Sequence, residues 1–131
     1  MSVVLNTVDQ VLGAARSAGP QLSFPAERIT ARQILRTRVL MEVERYNSSA
    51  PGRAFSLINP APEEQALNGP HRPERRKLNP DRQVEAAIDA IRKGRIIIMF
   101  NGERVRDIDA PLLVTPVSEA RFLRLVPLVG G

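Results

Sequence analysis

The strongest periodic pattern of apolar and polar residues runs through the stretch ITARQILRTRVLMEVERYN. Thr30 is followed three residues later by Gln33, which is the spacing of a capping box. Ile29 and Ile34 flank this box as a hydrophobic staple. The apolar residues that follow recur at the spacing of one helix face and predict an amphipathic helix that ends at Asn47; they are Ala31, Leu35, Val39, Val43 and Tyr46.

A second helix is predicted after residue 79. Asn79 can cap it, and Pro80 suits its first position. Gly94 is the expected C-terminal stop, because glycine readily adopts the left-handed conformation found there. The residues of this helix that we expect to face the core are Val84, Ala87, Ile88 and Ile91.

Short apolar runs predict strands on both sides of the two helices. SVVLNTV reads as a strand, and QLSFP reads as its antiparallel partner. The connection TVDQVLGAARSAG also fits a helix with Thr7 and Gln10 as a capping box, but we favour an irregular connection. RIIIMF is followed by Asn101 and Gly102, a favoured pair for a type I′ hairpin turn. PLLV and a segment at about residues 120–126 complete the order β-β-α, loop, α-β-β-β.

Between the predicted helices lies a proline-rich stretch, residues 47–80, that holds six of the eleven prolines. Proline interrupts helices and central strands, so we expect a long, partly flexible insertion there. A loop of this length inside a compact domain is uncommon. It indicates a functional segment, or else it argues against the predicted architecture.

Composition narrows the classes of protein and of site. The chain has no cysteine, which excludes disulfides, thiolate metal sites and a cysteine nucleophile on these 131 residues. We read no signal peptide and no membrane span, and therefore expect a cytoplasmic protein. The net charge of +5 suggests acidic partners, but no aromatic residue interleaves the basic cluster HRPERRK, which argues against nucleic acid as a partner.

Few side chains carry a pattern typical of catalysis or metal binding. His71 has no ligand partner at metal-binding spacing, and Asp107 and Asp109 fit exposed turn residues better than a cation site. No glycine-rich phosphate loop is present. The sequence therefore does not predict an enzyme, and no cofactor is expected on this chain.

Three segments resemble parts of ubiquitin. The segment IIMFNGERVRD resembles its hairpin, and FPAERITARQIL resembles the junction between its second strand and its helix. The segment SEARFLRLVPLVGG resembles its last strand and its di-glycine end. The resemblance is closest to bacterial ubiquitin-like modifiers, which are encoded beside adenylating and conjugating enzymes in antiphage operons. It implies an α+β ubiquitin-like β-grasp domain over residues 1–131, with a mixed sheet packed on a helix. The 47–80 insertion and the second helix are additions, and residues 127–131 are expected to form a free C-terminal tail.

The resemblance also implies the chemistry. An E1-like adenylating enzyme would use ATP to activate the Gly131 carboxylate. An E2-like conjugating enzyme would then link it to target proteins through an isopeptide bond or an ester, and a deconjugating protease would remove it. Gly131 carries no Cβ that would hinder a nucleophile, and Gly130 allows the backbone angles of a narrow channel. Pro127 should end the last strand, and Leu128 and Val129 would anchor the uncharged tail in an apolar channel.

Ubiquitin has an exposed apolar patch on its sheet. Matching the two proteins through the hairpin indicates which residues of this chain would form a similar patch. Ile98 and Phe100 should face the core, while Ile97 and Met99 face outward. On the last strand we expect Leu123 and Leu125 to point inward and Arg124 outward. The candidate partner patch is therefore Met99, Ile97 and Arg124. If copies are joined to one another, the acceptor amines are Lys77, Lys93 and the N-terminus.

Two other readings remain open. Sulfur carriers share the fold and the terminal glycines and bear a terminal thiocarboxylate, but they are usually shorter. A non-covalent adaptor would not need Gly131. A nucleic-acid binder ranks third and would use Arg72, Arg75, Arg76 and Lys77.

Overall fold

The computed structural model describes residues 2–48, 57 and 78–125. These residues form an α+β fold with a mixed sheet and two helices, compatible with β-grasp packing. Most of the 47–80 stretch and all of residues 127–131 lie outside the described residues. The elements are β1 Val3–Val11, β2 Ser17–Ala18, β3 Leu22–Phe24, β4 Arg28–Thr30, α1 Ala31–Asn47, α2 Pro80–Arg92, β5 Ile96–Phe100, β6 Glu103–Arg104, β7 Pro111–Leu113 and β8 Glu119–Arg124.

The main sheet places the last strand in its centre. Its order is β2-β1-β8-β5-β6, and β3 also pairs with β1. Strand β8 runs parallel to β1 and antiparallel to β5, whereas all other pairs in the sheet are antiparallel. A separate two-stranded ladder joins β4 to β7, so the predicted strand PLLV lies apart from the main sheet.

Helix α1 begins where its sequence signals predict. The Thr30 hydroxyl accepts from the Gln33 backbone N–H at 3.2 Å, and the Gln33 side chain accepts from the Thr30 N–H at 2.8 Å. Ile29 and Ile34, the two staple positions, are both buried. The predicted stripe is confirmed, since four of its members are buried and Tyr46 packs against the core; the four are Ala31, Leu35, Val39 and Val43.

Helix α2 also follows its predicted signals. The Asn79 side chain accepts from the Arg82 N–H at 3.1 Å, and Pro80 occupies the first turn. Gly94 follows the helix with a φ of 74°, the left-handed conformation that ends many helices. Val84, Ala87 and Ile88 are buried, and Ile91 packs against the same core.

The N-terminal hairpin corrects the favoured reading of the connection, because the stretch expected to be irregular is strand at residues 9–11 and at Ser17–Ala18. Strand β1 continues through Val11, and β2 pairs with it at Val8 and Asp9, so residues 7–11 are strand rather than helix. The alternation of buried positions along β1 explains this outcome, because Leu5, Thr7 and Asp9 all face the core.

The hairpin between β5 and β6 has the predicted turn. Asn101 and Gly102 adopt φ angles of 52° and 85°, as a type I′ turn requires. Ile98 and Phe100 are buried, as predicted. No helix within residues 2–48 and 78–125 is long and apolar enough to cross a membrane.

The predicted register of β8 is wrong by one residue. Ala120 and Phe122 are buried, so alternation places Leu123 on the outer face and Arg124 on the core side. The pairing agrees, because Phe122 lies opposite the buried Ile98 and Arg124 opposite the buried Ile96. The end of the strand, predicted near residue 126, is at Arg124.

Candidate functional site

The outer face of the sheet, turned away from α1, holds part of the predicted partner patch. In the ladder between β5 and β8, Ile97 pairs with Leu123 and Met99 pairs with Arg121, so these four side chains share a face. Each of the four is half-buried. Arg124 lies on the opposite face. On the outer face, where the sequence predicts Arg124, the residues of β8 are Leu123 and Arg121.

Arg121 is the cation of this outer face. Its Nη2 atom lies 3.9 Å from an Oε1 atom of Glu119, a loose ion pair. Its Nε atom is buried, and no hydrogen-bond acceptor for it exists within the described ranges. Val8 of β1 pairs with Arg121 across the parallel ladder, which adds a fourth apolar residue to this face, after Ile97, Met99 and Leu123.

The C-terminal strand is held on both sides as far as the structure describes it. The Leu12 N–H donates to the Arg124 carbonyl at 2.8 Å, and the Leu125 N–H donates to the Arg95 carbonyl at 2.9 Å. The last described residue, Leu125, is therefore still bonded to the sheet. The predicted conjugation residue Gly131 lies outside the described residues, as do the predicted recognition residues Gly130, Val129, Leu128 and Pro127.

A buried ion cluster supports the core side of β8. The Arg38 guanidinium donates to both carboxylate oxygens of Asp9, at 2.7 and 3.0 Å, and both side chains are fully buried. Its Nε atom lies 3.5 Å from Glu42, one helical turn further along α1. The guanidinium also sits 5.1 Å from the centre of the Phe122 ring, within cation–π range. The cluster thus ties α1 to β1 and to β8.

Glu42 extends the cluster toward two more parts of the chain. Both of its carboxylate oxygens accept from the Leu57 backbone N–H at 3.0 Å, and Leu57 is itself buried. Burial lowers the pKa of the Arg124 guanidinium, and the charge of Glu42 acts in the opposite direction. A single carboxylate therefore lies close enough to influence the end of β8 and also binds one residue of the proline-rich stretch.

Gly19 is packed directly against this cluster. A Cβ at this position would overlap the Thr7 hydroxyl and lie 3.0 Å from an Asp9 carboxylate oxygen. The Thr7 hydroxyl donates to the Pro20 carbonyl at 2.6 Å, so it is not free to move away without losing that bond. The position therefore requires glycine because of close packing.

The predicted acceptor Lys93 is exposed, but its amine is engaged. Its Nζ atom lies 2.8 Å from an Asp89 oxygen, and this hydrogen bond lowers the pKa of the Asp89 carboxyl. The other predicted acceptor, Lys77, lies outside the described residues. An amine held by a neighbouring carboxylate is a poorer nucleophile than a free one, because it must lose that partner before it reacts.

The two loop aspartates have partners within the protein. Asp109 forms a double hydrogen bond with Arg32, at 2.7 and 3.1 Å, and an Asp107 oxygen accepts from the Asp109 N–H at 2.9 Å. Arg32 lowers the pKa of the Asp109 carboxyl. Within the parts of the chain that the structure describes, no group of three or more potential metal ligands occurs.

The sequence reading missed the buried cluster altogether. Its signal is nonetheless present, because the alternation Leu5, Thr7, Asp9 places an acid on the core-facing side of β1. A buried carboxylate requires a cation, and α1 supplies Arg38 in the middle of its apolar stripe.

Comparison of the chain with protein-family models, with curated proteins and with solved structures gives no match.

Proposed function

We propose that this protein is a ubiquitin-like modifier with a β-grasp fold, joined to other proteins through the Gly131 carboxylate. The observation that carries the proposal is the position of β8. A hairpin, a helix across the sheet and a last strand inserted parallel to the first are the arrangement expected of a β-grasp domain. Together with the di-glycine at residues 130–131, this arrangement favours a modifier over an unrelated α+β protein.

The chemistry needs a rigid domain and an accessible carboxylate. Six residues follow Leu125, so an extended chain would carry the Gly131 carboxylate about 20 Å from the sheet. That carboxylate attacks the α-phosphorus of ATP in an activating enzyme and displaces pyrophosphate. A thiolate then displaces AMP, and finally a target nucleophile, an amine or a hydroxyl, displaces the thiolate. In this proposal the chain is the substrate of each step and contributes no catalytic group.

The outer sheet face is the proposed contact for partner enzymes. It offers apolar surface from Ile97, Met99 and Leu123 around the charged Arg121, a composition typical of protein interfaces. The partners that the proposal requires are an adenylating enzyme, a conjugating enzyme, a deconjugating protease and target proteins. The antiphage setting rests on the resemblance to the bacterial modifiers.

The experiment compares three N-terminally tagged forms in the native host: the unchanged chain, the chain without Gly131, and the chain with one alanine added after Gly131. Lysates are resolved on denaturing, reducing gels. We expect a ladder of heavier tagged species for the unchanged chain only, because both variants remove the free glycine carboxylate. Peptide mapping of the ladder should place self-linkage at Lys77 rather than at the ion-paired Lys93.

A ladder that persists without Gly131 would contradict conjugation through this residue. If no form gives a ladder under inducing conditions, the intact mass of the purified protein decides between the remaining readings. A mass increase that corresponds to one oxygen replaced by sulfur would identify a sulfur carrier. An unchanged mass would leave the non-covalent adaptor.

A further inference from the structure

One end of the main sheet carries a concentration of positive charge that the proposed conjugation chemistry does not use. Three segments meet where β1 and β8 finish and β5 begins, namely residues 12–16, 89–95 and 124–125, and we name them the basic edge. Within these segments Asp89 is the one carboxylate. The cations are Arg16, Arg92, Lys93, Arg95 and Arg124.

Backbone hydrogen bonds fix the three segments to one another. Arg124 accepts from the Leu12 N–H at 2.8 Å, and Arg95 accepts from the Leu125 N–H at 2.9 Å. The Arg95 N–H in turn donates to the Ala90 carbonyl at 2.8 Å. The three segments are therefore held together in the folded domain, and Arg16, Arg92 and Arg95 are exposed on them, whereas Arg124 lies on the core side of β8.

The positive charge of this surface is largely uncompensated. Asp89 is bound to Lys93, and the neighbouring charges of Arg92 and Arg95 further lower the pKa of its carboxyl. Arg16, Arg92 and Arg95 are exposed, and none of the three forms an ion pair with a described residue. Like charges held together in this way create a field that attracts an acidic partner.

An exposed leucine beside these cations indicates the class of that partner. Leu12 is 62% exposed, and it precedes a turn in which Gly13 adopts a φ of 86°. Arginine is enriched in protein–protein interfaces, and an exposed leucine beside it can enter an apolar pocket of a protein partner. Surfaces that bind single-stranded nucleic acid instead add aromatic side chains that stack on bases, and the basic edge contains no aromatic residue.

We propose that the basic edge is a docking surface for an acidic protein partner that receives Leu12 in an apolar pocket. Its identification with the activating enzyme rests on the proposed function, because residues 126–131 follow Leu125 directly. A partner bound at this edge would have the Gly131 carboxylate within about 20 Å of the contact. Opposite charges would steer the encounter, and Leu12 would fix its register.

The test compares two double charge reversals of the full chain. Arg92→Glu/Arg95→Glu alters the basic edge, whereas Arg28→Glu/Arg106→Glu makes the same charge change at one exposed residue of β4 and one of the loop after β6. The first probe is poly-L-glutamate, followed by amide chemical shifts. We expect shifts at residues 12–16, 92–95 and 124–125, lost in the first variant and kept in the second.

The second measurement uses the conjugate ladder in the native host. We expect Arg92→Glu/Arg95→Glu to reduce the ladder about tenfold and the control pair to leave it unchanged. Leu12→Ala should also reduce it without altering the charge. This variant leaves every arginine in place, so it still tests the docking surface if the charge-reversed variant fails to fold. Circular dichroism shows whether each variant is folded.

The outcomes separate the two proposals. A ladder that depends on Gly131 but not on Arg92 and Arg95 or on Leu12 would overturn the docking surface and leave the modifier function intact. A second outcome is that the unchanged chain gives no ladder, while poly-L-glutamate binds at the basic edge and this binding is lost in the first variant. That outcome would overturn the modifier function and support the docking surface. Tighter binding of an oligothymidylate than of poly-L-glutamate at the same amides would overturn the acidic-protein partner in favour of nucleic acid.

Discussion

Two guanidinium–carboxylate pairs in this protein have nearly the same geometry and opposite surroundings. Arg38 binds Asp9 at 2.7 and 3.0 Å with both side chains at 0% exposure. Arg32 binds Asp109 at 2.7 and 3.1 Å with side chains 41% and 62% exposed. The distances alone would suggest equal strength. The two pairs differ in strength because water reaches only the second pair.

Burial changes what each pair can do for the fold. Solvent screens the Arg32–Asp109 attraction, and ordering two exposed side chains opposes it, so such a pair adds little stability. Neither Asp9 nor Arg38 can return to water in the native state, so loss of Arg38 takes from the buried Asp9 carboxylate the guanidinium that balances its charge. Replacing both members of a buried pair with apolar residues is often tolerated. We therefore expect Arg38 and Asp9 to fix the register of α1 against β1 more than they add stability.

The largest effect should come from breaking the buried pair on one side. Arg38→Met leaves Asp9 buried without its main cation and should lower the free energy of unfolding by about 3–5 kcal/mol. The double variant Asp9→Leu/Arg38→Met removes the Asp9 charge and should recover part of this loss, because Glu42 keeps the Leu57 N–H as a donor but still loses the Arg38 guanidinium. Urea denaturation followed by circular dichroism measures both. Equal losses in the single and double variants would show that packing, and not the buried charge of Asp9, sets the cost.

A smaller effect is expected at Glu42, which belongs to the same buried cluster. Glu42→Gln keeps the shape and one oxygen that can accept from the Leu57 N–H, but it removes the charge beside Arg38. We expect a loss of about 1–3 kcal/mol in the free energy of unfolding. Glu44→Gln, at an exposed position of the same helix, is the matched control and should change little. An equal effect at both positions would argue against a special role for Glu42.

The smallest effect belongs to the exposed pair, and it should depend on pH. Because Arg32 lowers the pKa of Asp109 below its ordinary value of 3.8, the pair stabilises the fold above that value. The contribution disappears as pH falls through the lowered pKa. The Tm of Asp109→Asn should therefore lie slightly below that of the unchanged protein at neutral pH and coincide with it in strong acid. A Tm difference that grows toward acid would contradict this sign.

The sequence predicts those parts of the fold whose signals are local. Thr30 and Gln33 define the start of α1, and Asn101 and Gly102 define the hairpin turn, because each pair acts within a few residues. The cation for Asp9 is a different case, since Arg38 lies 29 positions away and meets it only after the sheet and helix pack. Arg38 also looks like an ordinary helical arginine when the sequence is read alone.

The register of β8 shows a second limit of sequence reading. Apolar residues occur on both alternating sets, Ala120 and Phe122 on one and Leu123 and Leu125 on the other. Periodicity therefore cannot decide which set faces the core. The contact with Ile98 and the packing of Phe122 on Arg38 decide it in the folded protein. The same ambiguity assigned Arg124 to the outer face, where Arg121 and Leu123 lie instead.

The central position of β8 also determines how the domain responds to mechanical load. Strands β1 and β8 run parallel over six paired positions, so the chain enters this ladder at one end and leaves it at the other. Tension between the two ends of the chain acts along the strands and loads these pairs together in shear. A force applied to the edge strand β6, across its ladder with β5, would instead break the paired positions of that short ladder one after another. A motor that pulls on the C-terminal segment would thus meet the strongest direction of the sheet.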